Sequence, residues 1–394
     1  MIKKSLIALL LAYVISVLPP LILDSLFSNS GPPSDAYLSV ASFHAGLYTQ
    51  IGICVFILSL FGLRKTISKI FKIDEVIYFH FIFYLFFYNT ANLYLLIQSR
   101  RSELFYTISG ARKMKDPVYG YIYPSNTQRH ETVYYADSLL LRATYTFDSL
   151  GRRYTPQNHI QKQRSTLFFG CSFTYGDGVN DAETLPAEFA SLDTNSNVFK
   201  YAIDGWGPQQ TFQELTHRHL PTETNSDSAL GIYVWIDDHL KRAALFKSHY
   251  FNWTQYFPCF ILQGDSLIYK GSFESAYPYK AAMFKLLEHS IFLKNIDIPS
   301  HVSSYDYELS CAILKASQKA FLQQFRSGKF IVLIYPGSDP ELIPYLKRAG
   351  LDYISCDKVE LGQSDFIPRH GHPNKKANNK LSQFLFQSLY ISNP

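Results

Sequence analysis

Residues 168–181 of the sequence, FFGCSFTYGDGVND, decide the fold that we predict for this chain. A short apolar strand, Ser165–Phe169, leads into Gly170-Cys171-Ser172, and a glycine-rich turn follows before the helix-like segment ETLPAEFASL. A serine on such a strand-to-helix turn lies at the carboxyl edge of a sheet, where backbone N–H groups and the helix dipole favour developing negative charge. The pattern therefore favours Ser172 as a nucleophile over a turn in which glycine and serine serve backbone geometry alone.

Single positions exclude two other turns of this kind. No Gly-Lys-Ser or Gly-Lys-Thr follows Gly170, as a phosphate-binding P-loop requires. Position 174 is threonine rather than glycine, which excludes the G-x-S-x-G elbow of the α/β-hydrolases. The stretch therefore predicts nucleophilic chemistry in a different strand–turn–helix setting.

The segments that follow alternate between buried strands and helices. The predicted strands are Asn197–Ile203, Leu230–Ile236, Lys329–Tyr335 and Leu351–Ser355, and the predicted helices are Asp306–Arg326, Pro340–Ala349 and Asn374–Tyr390. This alternation predicts an α/β domain with a parallel, doubly wound sheet over residues 161–394. Residues 245–300 are aromatic and contain the hairpin-like ILQGDSLIYKGSF, so we expect an insertion there that is able to cover a site.

A second signal for chemistry stands near the end of the chain. Residues 369–374, RHGHPN, open the last predicted helix, and a histidine just before Pro-Asn at a helix start can be aimed back across the sheet edge. Paired in this order with Gly170-Cys171-Ser172, His372 is predicted to be the general base of a serine esterase.

With these two blocks, residues 164–390 resemble the SGNH (GDSL-like) hydrolase superfamily. The specific parts are GCSFTYGDGVND and GHPNKKANNKLS, and AIDGWGPQQ is similar to the family's second block, which implies that Gly205 donates a backbone N–H to the oxyanion. The resemblance implies a flavodoxin-like three-layer α/β/α sandwich. It also implies hydrolysis or transfer of acyl esters without a metal or a cofactor.

The chain departs from the family's pattern at two places. The third block normally supplies an oxyanion asparagine, and the corresponding position here is Asp237, which cannot donate a hydrogen bond when ionised. The acidic partner of the histidine is expected two or three residues before it, where this chain has His370 and Arg369. Either another acid, Asp357 or Asp365, orients His372, or the site is a Ser–His dyad in which a backbone carbonyl holds the imidazole.

Other polar residues near these blocks are candidates for the pocket. His239 and Arg242 lie three apart in DDHLKR and share a helix face, so they either replace the missing oxyanion donor or belong to a solvated surface turn. His370 and His372, together with Cys356 or Asp357, offer an alternative zinc site and hence a metal-dependent hydrolase.

Composition narrows the class of protein. The chain has 394 residues with 47% hydrophobic and 16% aromatic content, which excludes disorder, and five cysteines exclude a disulfide scaffold. The net charge of +5 comes without any long basic run, so we expect no nucleic-acid partner.

The hydrophobic residues concentrate in the first hundred positions. Uncharged runs predict three transmembrane helices at about 5–24, 41–63 and 76–98, so residues 1–99 form a predicted membrane region. A cleaved signal peptide is the alternative for the first run, although no small-x-small site follows it. Lysines and arginines at the start and in the second loop place both in the cytoplasm and the C-terminal domain in the periplasm: Lys3, Lys4, Arg64, Lys65, Lys69 and Lys72.

A β-rich segment connects the membrane region to the α/β domain. Residues 117–150 alternate in polarity and carry turn residues, so the connecting segment 100–160 is predicted to hold a small antiparallel sheet. The whole pattern predicts a bacterial inner-membrane serine esterase for ester-linked acyl groups of a small molecule, a glycan or a lipid, such as an envelope polysaccharide or glycolipid. An O-acyltransferase of the same fold and a catalytically silent glycan-binding module are the alternatives.

Overall fold

The computed structural model describes residues 104–391 with gaps at 136–137, 157–161, 250–253 and 289–297, and residues 57, 69, 77–84, 86–87 and 90 before them. The chain divides into one compact unit of residues 1–103 and 279–297 and another of residues 104–278 and 298–394. Among the described residues, no helix has both the length and the apolar character needed to cross a bilayer. Of the three spans predicted from the sequence, the first lies outside the described residues, the second shares residue 57 with them, and the third shares residues 77–84, 86–87 and 90. The spans therefore stay predictions.

The second unit begins with antiparallel structure. Its strands are β1 (Leu104–Gly110), β2 (Met114–Asp116), β3 (Gly120–Ile122), β4 (Gln128–Tyr135) and β5 (Ser138–Thr146). Strands β1, β4 and β5 form a sheet in that order, and β2 and β3 form a hairpin. The antiparallel sheet predicted for this segment is confirmed.

The rest of the second unit alternates strands and helices. The strands are β6 (Arg164–Gly170), β7 (Ser196–Ala202), β8 (Ser228–Trp235), β9 (Pro258–Gln263), β10 (Ser266–Ser272), β11 (Ser327–Ile334) and β12 (Asp352–Ser355). The helices are α1 (Ser172–Tyr175), α2 (Leu185–Leu192), α3 (Pro208–His217), α4 (Leu220–Thr224), α5 (Asp238–Ala243), α6 (Phe273–Ala276), α7 (Pro278–Glu288), α8 (Ser304–Gln324), α9 (Leu342–Arg348) and α10 (Lys375–Tyr390). Of these, α7 belongs to the first unit apart from Pro278.

Five strands form a parallel sheet in the order β12-β11-β8-β6-β7. Counted along the chain from β6, this order is that of a doubly wound, flavodoxin-like sheet. The predicted parallel, doubly wound sheet is therefore confirmed, and its predicted strands match the observed ones to within two residues at either end. The strand order reverses between β6 and β8, so the crevice at the carboxyl end of β6 is where such folds bind ligands.

Helices cover both faces of this sheet, which explains why its strands are continuous hydrophobic runs. On one face, Phe169 of β6 and Tyr233 of β8 pack with apolar residues of α3, α8 and α9. On the other face, Phe168 of β6 and Ile232 of β8 pack with residues of α2 and α10. The result is a three-layer α/β/α arrangement that fixes the end of β6.

The β-rich segment shares a core with the α/β layers. Tyr145 of β5 and Tyr123 both stack on Tyr175 of α1, with ring centroids 5.5 and 5.9 Å apart. Trp206 and Ile367, which come from the α/β part, belong to the same hydrophobic cluster. The segment that the sequence assigned a connecting role therefore packs directly on the turn that carries Ser172.

The insertion contains the hairpin that the sequence predicted. Strands β9 and β10 pair antiparallel, and Phe260 of β9 packs with Leu309 and Ile313 of α8. Just before β9, Phe257 lies 5.6 Å from the ring of Tyr121, so the insertion also supports the β2–β3 hairpin.

Candidate active site

The turn after β6 presents Ser172 at the carboxyl edge of the sheet. Gly170 has φ +142°, and a Cβ there would lie 2.5 Å from the Thr174 hydroxyl oxygen, so only glycine allows the chain to turn this tightly. The Thr174 hydroxyl donates to the Phe169 carbonyl at 3.2 Å, and the Tyr175 N–H donates to the Cys171 carbonyl at 2.8 Å. These bonds hold Ser172 as the first residue of α1.

The loop before α10 brings His372 to the serine. Asn374 caps α10 by accepting from the N–H groups of Lys376 and Ala377, and the Ile367 N–H donates to the His372 carbonyl at 2.8 Å. His372 Nε2 lies 2.9 Å from Ser172 Oγ. The two residues that the sequence paired are thus in hydrogen-bond contact although 200 positions separate them.

The second imidazole, His370, stands where the acidic partner was expected. Its Nδ1 lies 3.0 Å from Nδ1 of His372. In the resting site, Nε2 of a neutral His372 accepts a hydrogen bond from the Ser172 hydroxyl, so its own proton is on Nδ1 and the Nδ1–H donates a hydrogen bond to Nδ1 of His370. His370 then acts as a neutral hydrogen-bond acceptor with its proton on Nε2, and burial lowers its pKa while Asp177 partly opposes this effect.

Asp177 is a site residue that the sequence reasoning missed. Its Oδ2 lies 3.7 Å from His372 Nε2, and its N–H donates to the Ser172 carbonyl at 3.0 Å. Gly176 and Gly178 on either side both have φ +85°, which folds the loop back over the serine. The available signal was an aspartate between two glycines five positions after Ser172.

The surroundings of Asp177 favour its ionised form. Burial alone would raise its pKa, but the interactions with His372, His370, Arg129 and Lys113 outweigh burial and lower it. Its Oδ1 also accepts a hydrogen bond from the Tyr145 hydroxyl at 3.4 Å. A negative charge therefore stands beside the His372 ring.

The two aspartates proposed from the sequence as partners of His372 are engaged elsewhere. Asp365 accepts from Lys380 Nζ at 2.9 Å and from the Gly362 N–H at 2.8 Å, and the Lys380 hydrogen bond lowers its pKa. Asp357 is exposed and accepts from the Ser355 hydroxyl at 2.6 Å. The carboxylate that lies against His372 is that of Asp177.

Gly205 lies just beyond the end of β7, at the same edge of the sheet. It has φ +87°, and a Cβ there would lie 2.4 Å from the Tyr121 hydroxyl oxygen. That hydroxyl donates to the Asp204 carbonyl, while the Asp204 side chain accepts from Tyr123 at 3.2 Å and pairs with Lys113. The β-rich segment thereby holds the Gly205 turn in place.

Asp237 directly precedes α5, and two hydrogen-bond donors engage its carboxylate. Its Oδ2 accepts from the Asp339 N–H at 2.9 Å, and its Oδ1 lies 3.4 Å from Trp235 Nε1. Burial raises its pKa, partly opposed by these two donors. The carboxylate therefore joins the ends of β8 and β11.

His239 and Arg242 of α5 are both buried, so the alternative of a solvated surface turn is wrong. The ring of His239 bonds the Tyr233 hydroxyl at 2.9 Å, and burial holds its pKa well below the usual range. Arg242 donates from Nη1 to the Trp206 carbonyl at 2.8 Å, and interaction with the nearby Cys171 helps to raise its pKa against the effect of burial. Its side chain thus bonds the residue after Gly205 and lies near the residue before Ser172.

A buried ion pair from the β-rich segment lies near Asp177. Arg129 and Glu131 are both buried and pair at 3.0 Å. Burial, followed by the charge of Asp177, raises the pKa of Glu131 to about 7 against the opposing effect of Arg129. This pair places a cation and a titratable acid beside the Asp177 loop.

The sequence offered Cys356 or Asp357 as a third zinc ligand beside His370 and His372. In the structure, a different residue lies next to the two histidines. Cys356 is fully buried, and burial raises the pKa of its thiol to about 12. Within the described part of the chain, the group of ligand types that comes together is Asp177, His370 and His372.

No protein-family model and no curated protein matches this chain. Solved structures that are similar to it include a protein described as lipolytic and of the G-D-S-L family from Desulfitobacterium hafniense DCB-2. The identity is 10%, the match covers 57% of this chain and 99% of that one, and the TM-score is 0.30. Another is the acetyl xylan esterase Est2A from Butyrivibrio proteoclasticus, with 12% identity, coverage of 73% and 83%, and a TM-score of 0.34. At these scores neither similarity bears on function, so the function has to follow from the geometry around Ser172.

Proposed function

We propose that this protein is a serine esterase that cleaves ester-linked acyl groups, with Ser172 as nucleophile and His372 as general base and acid. The observation that carries the proposal is the 2.9 Å contact between Ser172 Oγ and His372 Nε2 at the switch point of a doubly wound sheet. A serine paired in this way with a histidine is activated by loss of its proton as it attacks.

The reaction proceeds in two acyl transfers. Ser172 Oγ attacks the ester carbonyl carbon while its proton passes to His372 Nε2, and the N–H groups of Ser172 and Gly205 stabilise the oxyanion. The intermediate expels the alcohol, which takes the proton from His372, and leaves an acyl-serine. Water, or a sugar hydroxyl in the transferase variant of this chemistry, then attacks the acyl-serine with His372 again as base.

Two neighbours support the imidazolium that forms on His372. His370 Nδ1 accepts the hydrogen bond from His372 Nδ1, and the Asp177 carboxylate lies 3.7 Å from Nε2. The attraction between opposite charges at this separation lowers the energy of the imidazolium relative to the neutral ring. His370 therefore orients the His372 ring, and Asp177 stabilises its positive charge; in a Ser–His–Asp site one aspartate has both roles.

Arg242 compensates for the asparagine that the third block lacks. Its guanidinium bonds the Trp206 carbonyl and lies near Cys171, and these two residues adjoin the two N–H donors. The side chain is 8% exposed, Nε has no partner among the described residues, and Asp238, at 3.5 Å, is itself half exposed. A buried cation close to both N–H donors is suited to stabilise negative charge that develops nearby.

The substrate class that we propose is an acylated glycan or lipid of the cell envelope, reached from a membrane anchor in residues 1–99. The support is the set of uncharged runs and the placement of lysine and arginine in the sequence. Within the described residues of this region, Phe79, Phe83 and Phe87 form an exposed stripe on one helix face, as suits a lipid-facing surface.

Hydrolysis of 4-nitrophenyl acetate by the full-length chain tests the proposal. We expect an initial burst from formation of the acyl-serine, and loss of both burst and turnover in His372→Ala. Asp357→Asn, which alters an exposed aspartate, is the matched control and should leave the burst intact. A folded wild-type protein without turnover on this ester or on acetylated sugars would contradict the proposal.

A further inference from the structure

The replacement of the expected acid by His370 creates a set of donor atoms that a Ser–His–Asp site does not have. Asp177, His370 and His372 each offer one ligand atom, and these atoms lie within 4.8 Å of one another. Two imidazole nitrogens and one carboxylate oxygen are a common set of three protein ligands for zinc. The same set suits other divalent transition metals, notably Co²⁺, Ni²⁺ and Cu²⁺.

Little movement is needed for the two histidines to share an ion. Their Nδ1 atoms are 3.0 Å apart. Two nitrogens bound at about 2.0–2.1 Å in a tetrahedral site would be roughly 3.3 Å apart, so the rings have to separate by only a few tenths of an ångström. The His372 and Asp177 side chains are 23% and 21% exposed, which leaves a path from solvent.

The charged side chains around the three proposed ligands are compatible with a bound cation. One carboxylate oxygen of Asp177 accepts a hydrogen bond from the Tyr145 hydroxyl, which orients the side chain. Arg129 and Lys113 oppose an incoming cation, but each is paired with a carboxylate of its own, Glu131 and Asp204.

From this juxtaposition we propose that Asp177, His370 and His372 bind a divalent transition-metal ion, and that the bound ion switches the esterase off. This inhibition by the bound ion rests on the proposed function, because it follows from the use of His372 as the general base. An ion on Nε2 occupies the lone pair that faces Ser172. An ion on Nδ1 leaves the neutral ring with its proton on Nε2, which then cannot accept the serine proton.

Metal binding is measured first, independently of activity, on the full-length chain. Co²⁺ titration should give visible absorption bands of a tetrahedral site at one equivalent, and Zn²⁺ should displace them. His370→Asn and Asp177→Asn should each weaken binding at least roughly tenfold. Ser172→Ala should bind as the wild type does, and so should His301→Asn, which alters an exposed histidine. Equal affinity of wild type and His370→Asn would overturn the site.

Activity is measured second, on the same protein. Zn²⁺ should inhibit hydrolysis of 4-nitrophenyl acetate reversibly, a chelator should restore it, and His370→Asn should resist inhibition. Loss of wild-type activity on chelation would overturn the switch, because the ion would then be required. Metal binding by a protein whose Ser172 proves unreactive would support the site and reject the serine mechanism, so the two claims fail separately.

Discussion

At the scale of single residues, the proposed catalysis depends on what Arg242 and His370 do in place of an asparagine and an aspartate. Both lie beside the reacting groups: Arg242 bonds the Trp206 carbonyl and lies near Cys171, and His370 bonds His372. Their roles are electrostatic and orienting, so substitution should change the rate of the chemical step more than the stability of the fold.

We expect Arg242→Met to lower kcat by about 10²-fold with little change in KM. Loss of an oxyanion-stabilising donor has costs of about this size. The free energy of unfolding should fall only modestly, by about 1–3 kcal/mol for the Trp206 carbonyl that loses its donor, because Asp238 is half exposed and stays solvated. Arg242→Lys should recover part of kcat, whereas a fall in thermal stability that accounts for the whole loss would show a merely structural role.

We expect His370→Asp to retain or raise esterase activity, because a carboxylate accepts the His372 Nδ1 proton and also stabilises the imidazolium. His370→Ala should lower kcat by about tenfold or more, and Asp357→Asn should have little effect, since Asp357 bonds Ser355. Steady-state rates of the three variants on one ester test this. A hundredfold loss in Asp357→Asn with the protein still folded would reject the role given to His370.

At the scale of elements, the site is made by three connections at one edge of the sheet: β6–α1 with Ser172, β7–α3 with Gly205, and the loop before α10 with His372. Glycines with positive φ permit each turn. The conformations of these glycines are therefore as much a part of the site as its polar side chains.

We expect Gly205→Ala to impair catalysis strongly while the sheet stays folded. A left-handed backbone costs a non-glycine residue about 1–2 kcal/mol, and the added Cβ would collide with the Tyr121 hydroxyl. The turn should rotate and redirect the Gly205 N–H, lowering kcat by about 10²-fold. Adding Tyr121→Phe should restore part of the rate because it removes the collision. Wild-type kcat in the Gly205→Ala variant would exclude the Gly205 N–H as an oxyanion donor.

At the scale of the whole molecule, the central claim about placement is that residues 1–99 anchor the esterase domain in a membrane. Reporter fusions test the predicted topology. A fusion at residue 394 should be active only in the periplasm, and a fusion at residue 70 only in the cytoplasm, because basic residues cluster at the start and in the second loop. Periplasmic activity at residue 70 would contradict this topology.

The sequence predicted the parts of this molecule that depend on local pattern. The hydrophobic runs predicted all five strands of the parallel sheet, and the Ser172 and His372 blocks indicated a pair that the structure brings within 2.9 Å. The contribution of Asp177 was not predictable in this way. It depends on two left-handed glycines that turn the loop back toward His372.

The packing of the β-rich segment was also beyond local pattern. Its alternating residues predicted strands, but only the tertiary fold places Tyr145 against Tyr175 and Tyr121 against the Asp204 carbonyl. The same holds for His370, whose hydrogen bond to His372 follows from the course of the loop around Gly371, with φ +79°.

The central claim is that Ser172 is a nucleophile activated by His372, and covalent labelling tests it most directly. The full-length protein is treated with a fluorophosphonate in the presence of a chelator, and the adduct is located by peptide mass spectrometry. The account predicts one adduct, on Ser172, that is absent in Ser172→Ala and forms at least about 10²-fold more slowly in His372→Ala. Equal labelling of wild type and Ser172→Ala, or a folded wild type that does not label, would contradict it.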